Sequence, residues 1–224
     1  IDDFAAGADD LTDFVHRVGR RLPVRAIKVA RGKFTHERVA EGQPGIRERL
    51  YNFSLEAARR PADDVFVFHM RFSTPDTSAA RNRIDGKIHL LTRDLQVEAQ
   101  IASLDLARYR ALLPAGFQLG DGTALHDTRL NLSYSDADRA LRLDGQVFLR
   151  NLTLFHPALA ATPLAGLDMG AEFGLTVDLM GRAVVVDPSR VHVNAVRIDV
   201  QGQLTDFDTV PRLQMSAELP RTDL

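Results

Sequence analysis

From Val24 onward, apolar and polar positions alternate with a period of two, the pattern of strands that bury one face and wet the other. Ile27 and Val29 flank Lys28, and Tyr51, Phe53 and Leu55 alternate with Asn52, Ser54 and Glu56. Phe66, Phe68, Met70 and Phe72 share a face whose reverse carries Val65, Val67, His69 and Arg71, which places that strand centrally or under a covering helix. The alternation continues through Leu130, Leu132 and Tyr134, then Leu141, Leu143, Val147 and Leu149. It resumes in Phe173, Leu175, Val177 and Leu179, in Val191 and Val193, in Ile198 and Val200, and in Leu213, Met215, Ala217 and Leu219. Roughly a dozen strands joined mostly by short turns predict an antiparallel meander.

One phrase recurs inside this pattern. Ile84-Asp85-Gly86-Lys87-Ile88, Leu143-Asp144-Gly145-Gln146-Val147 and Val200-Gln201-Gly202-Gln203-Leu204 share an order of apolar, acid or amide, glycine, Lys or Gln, apolar, with glycines 59 and 57 residues apart. Leu95-Gln96-Val97-Glu98-Ala99-Gln100-Ile101 also aligns on Leu213-Gln214-Met215-Ser216-Ala217-Glu218-Leu219 at an offset of 118. These spacings predict one β unit used about three times, centred near 86, 145 and 202. Glycine weakens a strand interior, so its recurrence predicts a bulge or bend there.

Only short stretches change period. Residues 9 to 21 read as an amphipathic helix, with Leu11, Phe14, Val15 and Val18 on one stripe, Asp9 or Asp10 as cap and Pro23 as stop. Its expected role is to plug an open end of the sheet; a membrane-surface or partner-binding element is the competing reading. Asp105 caps a second, short helix with Leu106, Tyr109, Leu112 and Leu113 as its buried stripe and Pro114 as its end. Two parts follow: an N-terminal helix over 1 to 23 packed on the sheet, and one continuous β domain over 24 to 224. The expected fold is mainly all-β, a long curved antiparallel sheet whose hydrophobic inner face is closed into a sandwich or lines a trough.

The balance of 28 basic against 30 acidic side chains leaves a net charge of −2, no electrostatic footprint for nucleic acid or anionic headgroups. Nucleic acid is not an expected partner. The absence of cysteine removes disulfides, thiolate nucleophiles and cysteine metal sites, and fits a cytosolic or a periplasmic home. The chain begins at Ile1 and stops where its second repeated phrase ends, whereas the earlier copy runs on through Leu104-Asp105-Leu106, so a segment of something longer is expected. No run of about 18 apolar residues is present to span a bilayer.

The Gly-centred phrase in a unit of about 58 residues, with the Asp-led helix from Leu104-Asp105-Leu106 to Leu113-Pro114, resembles the AsmA-like repeats of bacterial envelope proteins, related to the larger TamB-type bridges. A narrower similarity, carried by His156-Pro157-Ala158-Leu159, Thr162-Pro163-Leu164 and Leu219-Pro220-Arg221-Thr222, is to the AsmA-like region preceding the transglycosylase domain of long peptidoglycan glycosyltransferases. The resemblance implies a periplasmic segment tethered to the inner membrane through residues outside this chain, in the company of other envelope proteins. It also implies a curved sheet whose apolar groove shelters phospholipid or polyprenyl-lipid chains in larger relatives. The glycan-polymerising glutamates belong to the separate transglycosylase domain and have no counterpart here.

Catalytic chemistry finds little footing. The seven histidines show neither i, i+4 pairing nor an HExxH phrase, and His89 and His192 fall on polar strand faces. Asp136-Ala137-Asp138 lacks the glycine and closing glutamate of a calcium loop and reads as a hairpin tip. Gly120-Asp121-Gly122 is a turn rather than a phosphate cradle, and no GxSxG elbow occurs. Carboxylates such as Asp63-Asp64 flank strands without marking a glycosidase pair. The expected role is a non-catalytic spacer or scaffold without a cofactor, and the alternative is a lipid-carrying module. In that alternative the trough is lined by Leu130, Leu132, Leu141, Leu143, Val147, Leu149, Phe173, Leu175 and Val177. A one-residue register slip would turn any of these rows outward.

Overall fold

The structure is a computed structural model that describes residues 25–38, 46–60, 62, 64–75, 82–106, 118–155, 162–206 and 210–220. The expected helix over 9 to 21 and nearly all of the one that Asp105 was to cap lie outside these residues. Within them the chain is almost wholly antiparallel β: β1 (Ala26–Arg38), β2 (Ile46–Arg60), β3 (Val65–Ser73), β4 (Asn82–His89), β5 (Leu95–Asp105), β6 (Gln118–Leu119), β7 (Ala124–Ser135), β8 (Ala140–Phe155), β9 (Leu164–Asp178), β10 (Ala183–Val193), β11 (Val196–Thr205) and β12 (Arg212–Glu218). Eleven strands pair in chain order into one open curved sheet, and the two-residue β6 pairs with the far end of β8. β6 and β7 are in effect one interrupted strand, broken at Gly120-Asp121-Gly122, since both lie along the same side of β8. No described helix is long and apolar enough to cross a membrane.

Register explains why the alternation held so far along the chain. Ile27, Ala57, Phe68, Gly86, Val97, Leu132, Leu143, Leu175, Val186, Gly202 and Met215 are successive cross-strand partners, an apolar row that crosses all eleven strands without a break. At a strand spacing of about 4.8 Å, ten steps make a beam about 48 Å across its strands. A neighbouring row, from Phe66 through Ile88, Leu95, Tyr134, Leu141, Val177, Val184 and Leu204 to Leu213, lies on the same face. The buried core sits there, in Ala57, Phe66, Ile88, Leu95 and Tyr134, with Leu55, Phe68, Val97 and Leu132 packed against it. Each such side chain contributes about 1.5 to 3 kcal/mol when fully buried. Toward β12 the face opens: Met215 is 49 % and Leu213 69 % exposed.

The three Gly-centred phrases all lie in strands, yet they do not superpose as one translated unit. Gly86 on β4 and Gly202 on β11 occupy the same apolar row, opposite Val97 and Met215, and their strands run in the same direction. Gly86 maps onto Gly202 at 116 residues and Leu95 onto Leu213 at 118, so hairpin β4–β5 corresponds to hairpin β11–β12. β8 runs the opposite way, and Gly145 stands one rung aside, opposite Leu130 and Phe173. The expected bulges are only partly where the glycines stand. Gly86 sits in ladders without register shifts, a shift at Val186–Ser189 of β10 adjoins the Gly202 rung, and the shifts in β1, β2, β7 and β8 coincide with Arg31, Asn52, Asp127 and Asn151, all at positive φ. The phrase glycines instead leave room for neighbours. The Phe68 ring lies over Gly86, the Met215 thioether and the Gln214 carbonyl crowd Gly202, and the Arg129 carbonyl fills the space beside Gly145.

The β2–β3, β4–β5, β7–β8 and β9–β10 turns share one end of the sheet, and neighbours among them are tied to one another. The β4–β5 connection is five residues, in which Arg93 at φ 63° closes a turn that starts at Leu90, whose side chain drops onto the core. Asp136, at the β7–β8 tip, meets Arg93 at 3.4 Å and donates its backbone N–H to Asp94 Oδ1 at 3.2 Å. Ser135 Oγ donates to Asp138 at 2.8 Å, which makes Asp136-Ala137-Asp138 the hairpin tip that its composition indicated. Arg139 and Arg182 close the next two turns at positive φ, as Arg93 does.

Candidate functional site

The nine residues expected to line a trough come together on one face of β7, β8 and β9. Leu132, Leu143 and Leu175 are successive partners; Leu141 faces Val177; Leu130 and Phe173 flank Gly145; Val147 and Leu149 face Ala171 and Met169. Val177 is buried and the other eight are half-buried. Their common facing follows from unshifted pairing between Leu141–Leu149 of β8 and Met169–Val177 of β9.

Two cavities open mainly over the opposite, polar face. The larger, about 950 Å³, crosses β7 to β12 and is lined by Arg129, Arg142, Asp144, Glu172, Arg190, Arg197, Asp199 and Glu218 among others. A second, about 430 Å³, lies over β2 to β8, with His69, Asp85, Lys87, Glu98 and Asn131 on its wall. A twisted sheet is saddle-shaped, so the polar side can be hollowed as well as the apolar one. These polar residues form rows of their own: Arg83, Gln100, Arg129, Gln146, Glu172, Arg190, Asp199 and Glu218 are partners in succession.

Within the larger groove, charge is compensated locally. Arg197 grips Asp199 with two bonds of 3.1 and 2.9 Å, and Arg190 reaches both Glu172 and Asp199 at 3.7 Å. Asn131 donates to Asp144 at 3.0 Å and Gln146 to Glu172 at 3.3 Å. The hydrogen bond from Arg197 holds the Asp199 carboxyl below the ordinary aspartate range. On the same polar face toward the β1 edge, Lys28 and Glu56 meet at 2.8 Å, and their hydrogen bond raises the ammonium and lowers the carboxyl. Each of these shifts favours the charged form of an exposed ion pair, the ordinary behaviour of paired surface charges.

His69 contacts Asp85 at 2.7 Å, and His126 contacts Asp127 at 3.0 Å. His192 lies over Gly170 with its ring 6.0 Å from that of Phe148. Among the described residues no three His, Asp or Glu side chains gather as a metal site. Sequence reasoning placed the polar residues on outward faces but missed the groove, because which charges become neighbours depends on pairing between distant stretches, as of Gln100 with Arg129 and Gln146 with Glu172.

Compared with protein-family models, with curated proteins and with solved structures, the chain matches none.

Proposed function

We propose that this chain is a non-catalytic spacer or scaffold: an AsmA-like β segment of an extracytoplasmic, inner-membrane-tethered envelope protein, whose parent chain polymerises glycan strands. The observation that supports the reading is the apolar row that runs partner to partner across eleven strands. A beam of that kind gains length by adding strands, and its well-populated contacts join only ladder neighbours. Its stability then depends on nearest neighbours, as in repeat proteins, which suits a part that bridges a distance. The polar groove supports the same reading, because Arg190 and Arg197 already answer Glu172 and Asp199.

A second reading, carriage of phospholipid or polyprenyl-lipid chains along the apolar face, is favoured by the exposure of Leu213 and Met215 at the β12 end. Mass spectrometry of an organic extract of the purified chain separates the two. A scaffold yields no stoichiometric lipid. One lipid molecule or more per chain would overturn the scaffold reading in favour of carriage.

A further inference from the structure

The wet face of β8 holds one residue out of keeping with it. That face reads Arg142, Asp144, Gln146, Phe148, Arg150, and Phe148 is the single large apolar side chain among them, half-buried and apart from the apolar rows. Its cross-strand neighbours extend the exception. His126 stands opposite it on β7 and Gly170 on β9, and His192 stands opposite Gly170 on β10. Because Gly170 has no side chain, the His192 imidazole lies across β9, its ring 6.0 Å from that of Phe148 and tilted by 48°. Any side chain at 170 would part the two rings.

These rings line a cavity of about 290 Å³ whose walls include Asp127, Arg150 and Asp168. Asp127 is the extra residue of the β7 bulge; it meets His126 Nδ1 at 3.0 Å, and its side chain is 74 % exposed. Asp168 Oδ1 accepts the Asn151 backbone N–H at 3.1 Å, which leaves Oδ2 to a ligand. Arg150 is exposed and enters no ion pair among the described residues. One rung along the same face, Gln146, Glu172 and Arg190 continue into the larger groove.

We propose that this face binds a glycan strand. Phe148, with His126 and His192 beside it, takes the C–H face of one pyranose; Asp127, Arg150 and Asp168 bond its hydroxyls; the larger groove receives the sugars that follow. A sugar ring matches both halves of the cavity. Its axial C–H bonds meet the negative face of an aromatic ring, and each hydroxyl on its rim both donates and accepts. The paired charges of the groove offer no net field to a polyanion, yet they keep donors and acceptors for hydroxyls. A trough on a sheet is long and shallow, so it suits a flat chain. Pyranoses joined β-1,4 through equatorial bonds make such a ribbon, whereas α-1,4 links coil it. The site lies on the face opposite the apolar row, so its failure would leave the scaffold and lipid readings as they stand.

The test titrates the full chain by calorimetry with cellotetraose, with the β-1,4-linked tetramer of N-acetylglucosamine, and with maltotetraose as the coiled control. At least one β-linked tetramer should bind, and maltotetraose should not. Phe148→Ala should weaken binding about tenfold through loss of the stacked ring, and Phe148→Tyr should keep it. Saturation-transfer NMR on the unmodified chain, which needs no variant to fold, should mark the protons of one face of the bound sugar ring most strongly. Absence of binding by both β-linked tetramers overturns the proposal. Equal binding of maltotetraose, saturation spread evenly over both faces of the ring, or binding that Phe148→Ala leaves unchanged would do the same.

Discussion

Gly145→Ala is the sharpest test of how the sheet is packed. A Cβ at this position collides with the carbonyl oxygen of Arg129 and lies 3.0 Å from the Leu130 Cα and 3.1 Å from the Arg129 carbonyl carbon. Carbon atoms in good contact stand about 3.5 to 4.0 Å apart, so β7 and β8 must separate by roughly 0.5 to 1 Å. The obstacle is backbone, beside the register shift that Asp127 introduces, and no rotamer change relieves it. Overpacking of this kind costs about 1 to 3 kcal/mol, and each ladder hydrogen bond lost adds about 1 kcal/mol. Alanine returns about 0.5 to 1 kcal/mol because it is less free than glycine in the unfolded chain. The net loss should be about 2 kcal/mol. With an m-value of about 3 kcal/mol/M in urea, the midpoint should fall by roughly 0.7 M. Because strands make nearly all their contacts with ladder neighbours, hydrogen exchange should accelerate in β7, β8 and β9 while β3 and β4 keep their protection. An unchanged midpoint, or exchange that accelerates evenly along the sheet, would refute the reading that the neighbouring backbone leaves no room for a Cβ at Gly145.

Other outcomes follow from the same geometry. Gly86→Ala must push the Phe68 ring off the row and should cost about 1 to 3 kcal/mol; in a Phe68→Ala background the cost should fall by more than half, and equal costs in urea titrations of both backgrounds would contradict the account. Tyr134 is 4 % exposed, and its hydroxyl donates to Asp136 at 3.0 Å and accepts from Arg139 at 3.4 Å. Tyr134→Phe should therefore lose about 1 to 2 kcal/mol, read as a drop of a few degrees in Tm, and an undiminished Tm would count against the network. Asp199 titrates below the ordinary aspartate range because Arg197 bonds its charged form, so what it contributes is complete at neutral pH and fades as pH falls through the lowered value. Carboxyl NMR should show that titration moving back up in Arg197→Gln, and no movement would remove Arg197 as the cause.

The sequence alone determined that this is a β protein and which way its side chains face. A strand that buries one side must alternate, so Leu141, Leu143, Phe173, Leu175 and Val177 declared a common face before any pairing was known. Turn chemistry was legible where the residues carry it, as at Asp136-Ala137-Asp138 and Gly120-Asp121-Gly122. What the tertiary structure decided lies across strands. Strand direction reverses between the Gly86 and Gly145 phrases, which share a local pattern that carries no sense of direction. Arg31, Asn52, Asp127 and Asn151 break the register at positive φ, and at Arg31, as at the turn residues Arg93, Arg139 and Arg182, the residue type gives no sign of a left-handed backbone. The polar groove exists because Arg129, Gln146, Glu172, Arg190 and Asp199 become cross-strand neighbours. Periodicity is a property of one strand and is written locally, whereas register is a property of two, set by the summed fit of their faces.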